Sequence, residues 1–365
     1  MTAIAEVPVV EKGSKLKLDE LRQVCLDREA NFYDDVVSLK SMQMDPETPG
    51  RLIIQRGKDQ PRESYEMLPH LYQQAPGVVY GLPGGYLKKL VEGDSSDPEL
   101  AALNFNHWVG ANKDREVLLR FAKGKEEPYL RAMLPGSWSP IPYQQVMEAM
   151  IAKHGKDLEL EVEKFDQTGL VFNFVTGKLD MEQFKDGGHN FIKQEVEWGM
   201  RFKDSDVGIG HLELMPYTMT LVCTNGMTTQ GQGAAVRLSH STKGAGDINE
   251  VLANIRQGME MITGYSRNIV NQMGKAQTTT LEEEHLDEVF ARINKRHDVT
   301  KLEDRYAREG WAIEAANHPD PTVLRLANAY TRAANAEELK ADSRFKLQGV
   351  GGSVLELCDS NYRWN

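Results

Sequence analysis

The stretch that decides the fold runs from Trp198 to Gly226, WGMRFKDSDVGIGHLELMPYTMTLVCTNG. It reads as two strands around a turn. The first strand ends near Lys203. Asp204, Ser205 and Asp206, followed by Gly208 and Gly210, supply the side chains and backbone freedom that a turn needs. The second runs from about Leu212 to Val222, dense in Leu, Met, Tyr, Thr and Val, and stops at Asn225-Gly226. Pro216 has no N–H to give a ladder, so the pattern predicts an edge or a bulge there.

Upstream, Leu158 to Lys164 alternates apolar and polar residues, Asp166 to Gly169 turns, and Leu170 to Thr176 returns, which predicts a hairpin. Ile192 to Phe202 is the next strand. Downstream, Ile248, Leu252, Ile255, Met259, Ile262, Ile269 and Met273 recur mostly at three- and four-residue steps, the stripe of a helix lying on a sheet. The segment reads as an antiparallel β-meander covered by one long helix. The fold class is α+β, with helical N- and C-terminal parts.

The remaining chain divides around this core. Residues 1–17 read as a flexible arm, 18–275 as the α+β core domain and 276–365 as a helical C-terminal region. Residues 18–45 carry weak helical patterning, and Leu52-Ile53-Ile54 is a short strand candidate. A helical segment starting at Tyr65 meets the turn Gly81-Leu82-Pro83-Gly84-Gly85, whose glycines lack phosphate-loop spacing. Asp97-Pro98 caps a helix to about 109. Residues 113–131 read as a half-buried strand pair with a solvated charged face, and Tyr143 to His154 as a helix. Thr280 to Glu283 has the spacing of a capping box opening a helix to about Lys295. Helices at 301–314 and from Thr322 to Asn335 follow, then a glycine-rich stretch from 345 ending near Trp364.

Composition narrows the class. With 365 residues, 40% hydrophobic and 8% aromatic, the chain can bury a sizeable core. No apolar run approaches the roughly 20 residues a bilayer needs, and the N-terminus lacks the pattern of a signal peptide. Cys25, Cys223 and Cys358 lie far apart without a CxxC, which points to a reducing compartment, the cytoplasm. The net charge of -11 disfavours indiscriminate binding to polyanions unless the basic residues are segregated.

No Walker motif, HExxH, nucleophile elbow or dinucleotide fingerprint is present, so no cofactor or resident metal is expected. Asp204 and Asp206 could share a divalent ion with Glu213, with His211 beside them, although an Asx-turn accounts for the same residues. The segment from Thr224 to Gly246 holds Asn225, Arg237, His240 and Lys243 among hydroxyls, amides and five glycines, without a carboxylate. Such groups suit phosphate oxygens. A flexible polar loop is the other reading.

Four pieces resemble the phage- and plasmid-encoded family catalogued as domain of unknown function 932. They are Leu103 to Trp108 (LNFNHW), Leu130 to Pro142 (LRAMLPGSWSPIP), Asp204 to Gly208 with Leu221 to Met227 (DSDVG and LVCTNGM), and Asn328 to Ala334 (NAYTRAA). Asp204 and Asp206 stand where the family has Asn and Glu, and Pro135 to Trp138 replaces a polar turn. At fold level, three antiparallel strands and a long helix resemble the core of ring-forming phage single-strand annealing proteins. That resemblance implies a non-enzymatic homo-oligomer that binds single-stranded DNA in recombination or replication, in the host cytoplasm, without hydrolysing nucleotide. On it, Arg237 and Lys243, with Asn225 and His240 in the same loop, hold phosphates. Arg201 and Lys203 extend the track, Arg120, Lys123 and Arg131 flank it, and Tyr217 or Trp138 stacks a base. Two alternatives stay open: a metal-dependent nuclease or hydrolase around Asp204, Asp206, Glu213 and His211, and a non-enzymatic phage interaction protein, which the acidic charge suits.

Overall fold

The computed structural model describes residues 10–48, 50–92, 96–124, 126–180, 195–220, 226–228, 236–238, 240, 248–316, 318–358 and 362–364. Helices and antiparallel sheets share the chain, as the α+β reading requires. The chain opens with β1 (Lys15–Lys17) and α1 (Leu18–Glu29), then builds the first of two sheets. That sheet takes β2 (Phe32–Ser38), β3 (Met42–Met44), β4 (Arg51–Ile54) and β5 (Glu63–Met67). Three helices follow: α2 (Leu71–Gln74), α3 (Gly84–Val91) and α4 (Pro98–Ala111). Asp97 caps α4 by accepting from the N–H of Leu100 at 2.9 Å, and Pro98 sits at the first helical position, where no N–H is needed. Then β6 (Glu116–Ala122) and β7 (Tyr129–Pro135) enter the middle of the sheet, in the order β2-β6-β7-β5-β4-β3.

One face of this sheet packs with the helices into a core that includes Leu39, Leu52, Phe105, Leu119 and Phe121. The segment 113–131 was expected to show a solvated charged face. Instead β6 and β7 are buried on both faces. The second face carries Leu118, Ala132 and Leu134, which close around Val207 from the turn after Asp204.

The second sheet is the meander. After α5 (Tyr143–His154) come β8 (Glu159–Asp166), β9 (Gly169–Asp180), β10 (Glu195–Asp204) and β11 (Leu212–Thr220), each antiparallel to the one before. Short strands β12 (Gly226–Thr228) and β13 (Val236–Leu238) both pair with β11. The partners of β13 on β11 are Leu212 to Leu214 and those of β12 are Tyr217 to Met219, while on the other side of β11 Pro216 pairs with Met200 of β10 with no shift in register, so that ladder shows no bulge at the proline. Residues 15–17, inside the expected arm, form the far edge strand against β8, and Gly13 N–H donates to the Val162 carbonyl at 2.7 Å. A register shift between Trp198 and Gly199 accommodates the closeness of β9, where a β-carbon on Gly199 would collide with the Phe174 carbonyl.

The helix α6 (Ile248–Thr278) covers the meander, as its periodicity predicts. It joins α1 and α5 over one face, with Val251, Ile255 and Met259 against Phe172, Phe202 and Leu214. The Phe172 and Phe202 rings stack at 5.1 Å. Truncating such a buried phenylalanine costs about 3–5 kcal/mol.

Four helices finish the chain: α7 (Leu286–Arg296), α8 (Lys301–Glu314), α9 (Val323–Ala333) and α10 (Ala341–Leu357). Two local expectations change here. Thr280 does not cap a helix but bridges Thr322, and α7 begins at Leu286. The capping box lies at Thr300 and Glu303, with Thr300 N–H to the Glu303 carboxylate at 2.7 Å. The glycine-rich stretch after 345 continues α10. Its Gly351 lies against the Thr331 methyl and the Ala327 carbonyl, so small residues here permit close helix approach.

Candidate functional site

The turn between β10 and β11 lies where the two sheets meet. Gly208 has φ +74°, a left-handed conformation that its missing side chain allows, and a β-carbon there would strike Leu134. Ser205 donates its hydroxyl to the Thr168 carbonyl at 2.7 Å and accepts from Ile209 N–H at 3.1 Å. The turn is therefore fastened to its neighbours, and Asp204, Ser205 and Asp206 are all buried.

Asp206 is surrounded by guanidinium groups. Arg131 approaches its Oδ2 at 2.8 Å, Arg28 its Oδ1 at 3.3 Å, and Arg120 donates to its main-chain carbonyl at 2.5 Å. Arg120 also pairs with Asp34 at 2.9 Å. Burial alone would raise the Asp206 carboxyl, but Arg131, Arg28 and Arg120 outweigh it and hold the group at about 2. The guanidiniums lie on rings, Arg131 3.5 Å above Phe32 and Arg28 4.6 Å above Phe165. Nearby, Glu29 accepts from Tyr143 N–H at 2.6 Å and Gln144 N–H at 3.4 Å, capping α5 from another helix. Burial raises the Glu29 carboxyl despite these two donors.

Asp204 faces a different partner. His240 places Nε2 2.8 Å from Asp204 Oδ1 and Nδ1 3.2 Å from the Ser139 carbonyl. Burial raises the Asp204 carboxyl, more than the bond from His240 lowers it. The two ring nitrogens thus face Asp204 on one side and the Ser139 carbonyl on the other. Both ring nitrogens are then engaged, so His240 fastens the β13 end of the chain rather than offering a free base. Trp138 stacks on it at 4.6 Å.

These positions correct much of the expected basic track. Arg131 and Arg201 are buried and Arg120 nearly so, because each is held inside by carboxylates, carbonyls or amides. Arg201 donates to Asn173 at 2.6 Å and to Gln348 of α10, and lies 3.6 Å from Glu163, which ties the C-terminal helices to the meander. Tyr217 is also buried, 5.1 Å from the Arg201 guanidinium, and is not placed to stack an incoming base. His240 is buried on Asp204, and half-buried Trp138 already has His240 and Arg120 against its ring. Lys203 and Arg237 converge on Glu213, at 3.9 and 2.7 Å, and Arg237 remains 58% exposed. Lys123 is exposed and donates to the Ala30 carbonyl. Asn225 and Lys243 lie outside the described residues.

The metal alternative meets the same pairing. Asp206 is taken by arginines, Asp204 by His240 and Glu213 by Arg237 and Lys203. Among the described residues the one close group of potential metal ligands is Glu282, Glu284 and His285, on the other side of the sequence from that proposal.

Sequence reasoning missed Arg28, Glu29 and Tyr143. A signal existed for the first: Leu18, Leu21, Cys25 and Arg28 follow one helical stripe, and the first three are apolar. An arginine continuing a buried stripe needs a carboxylate, and Asp206 is it. No family model, curated protein or solved structure matches the chain.

Proposed function

We propose that the chain is a phage-type single-stranded DNA-binding and annealing protein that hydrolyses no nucleotide and works as a homo-oligomer. The observation that carries this reading is the meander β8 to β11, in sequence order and covered on one face by the 31-residue α6. Among the described residues no helix is long and apolar enough to cross a membrane. On this reading the phosphate contacts come from surface groups, chiefly Arg237 and Lys123 with half-buried Lys203, and not from the internal arginines. Glu213 is the resident counter-ion of Arg237 and Lys203, and a DNA phosphate replaces it. Such contacts are salt-sensitive.

The test is a salt titration of binding to a labelled single-stranded oligonucleotide. Affinity should fall with log salt at a slope of about -0.7 per phosphate contact. Arg237→Ala should make that slope shallower without changing the unfolding midpoint. No binding at low salt overturns the reading; an unchanged slope in Arg237→Ala removes Arg237 from it.

A further inference from the structure

Outside the DNA reading, a pocket of about 300 Å³ opens between α1, the start of β2 and the segment before α5. Its walls include Phe32, Tyr33, Ile141 and Tyr143, with Arg28 and Arg120 at the charged side. We infer that this pocket binds a small phosphorylated ring compound of the size of a nucleoside monophosphate.

The donors are the first reason. Arg28 is fully buried, yet its Nε and Nη1 have no hydrogen-bond partner, and its one carboxylate contact is long, at 3.3 Å. Buried donors without partners are costly, and a guanidinium beside a pocket is suited to phosphate oxygens. Arg131, just behind, likewise has Nε and Nη1 unpartnered. The acids at the pocket do not cancel this demand. Asp206 spends both oxygens on Arg28 and Arg131, Asp34 accepts from Arg120, and Glu29 accepts two backbone N–H groups of α5. Each acid already has a partner on at least one oxygen, and unpartnered guanidinium donors remain.

The walls are the second reason. Three rings and an aliphatic side chain give flat apolar surface beside the guanidiniums, the pairing that a base with a phosphate requires. Tyr33 is still 38% exposed at the rim, backed by Phe121 at 5.0 Å, and so presents a ring to an entering ligand.

Calorimetric titration with thymidine 5′-monophosphate tests the site. Binding is expected, with thymidine and inorganic phosphate each about tenfold or more weaker. Tyr33→Ala should weaken the monophosphate several-fold while the chain stays folded, and Arg28→Lys should do so at least as strongly. Should Arg28→Lys fail to fold, Tyr33→Ala decides alone. A 5′-phosphorylated oligonucleotide that displaces the monophosphate identifies a strand end as the source, and failure to displace it identifies the free nucleotide. Absence of binding, equal affinity for thymidine, or an unaffected Tyr33→Ala overturns the inference. Oligonucleotide binding that persists in Tyr33→Ala separates this site from the surface contacts of Arg237.

Discussion

Replacing Asp206 by asparagine keeps its shape and removes its charge from among three arginines. In the unfolded chain the carboxyl titrates near 3.8, and in the fold near 2. That difference, at 1.36 kcal/mol per unit, is roughly 2.5 kcal/mol of stability. The folded value is depressed, so the contribution is complete above about pH 4 and is lost as pH falls from there toward 2. Asp206→Asn forfeits it at every pH and turns an amide N–H₂ toward a guanidinium. Removing one partner of a buried pair costs about 3–5 kcal/mol, so the charge figure is a floor. Urea unfolding at pH 7 should show the unfolding free energy lowered by that amount, with a lower midpoint and an unchanged slope. Between pH 5 and pH 3 the gap between wild type and variant should narrow. A loss below about 1 kcal/mol at pH 7, or a gap that does not narrow, would refute the account of the cluster.

Three further outcomes are expected. Asp204→Ala should cost about 1–3 kcal/mol in urea at pH 7, because it leaves the buried His240 Nε2 without its partner. The raised Asp204 carboxyl also means that its contribution is complete below about 3.8 and is lost as pH rises from there through its higher folded value, and a pH series should show that decline missing from Asp204→Asn. Gly351→Val should cost about 3 kcal/mol by forcing α10 from α9, read as a lower thermal midpoint; an unchanged midpoint would mean that the close approach is slack. Arg201→Met should loosen the C-terminal helices, seen as faster proteolysis within 341–357, and equal rates would show that Gln348 and Glu163 do not hold that contact.

The meander was legible because its signals are local. The hairpin from Leu158, the Asp204 turn and the stripe of α6 each depend on residues a few positions apart. The first sheet was not legible as a sheet. Its strands β3 and β4 have only 3 and 4 residues, and it is assembled from pieces separated by α2 to α4. The site failed for a related reason. Arg131 and Arg201 look like surface cations along the chain, because the groups that draw them inward, Asp206 and Gln348, lie 75 and 147 residues away. Glycines that mark turns in one setting, as at Gly208, mark helix contacts in another, as at Gly351.

The order in which the chain is made gives the Arg28–Asp206 pair a consequence of its own. The strands of the first sheet all lie within 32–135 and can pair as soon as they leave the ribosome. Arg28 cannot, because its carboxylate is encoded 178 residues later. At roughly 5–20 residues per second, α1 waits on the order of 10 to 35 s for Asp206 to appear. During that interval a helix with an unpaired guanidinium on its buried stripe waits beside a sheet whose Arg131 and second face wait for the same turn. The start of the molecule is thus among its last parts to settle.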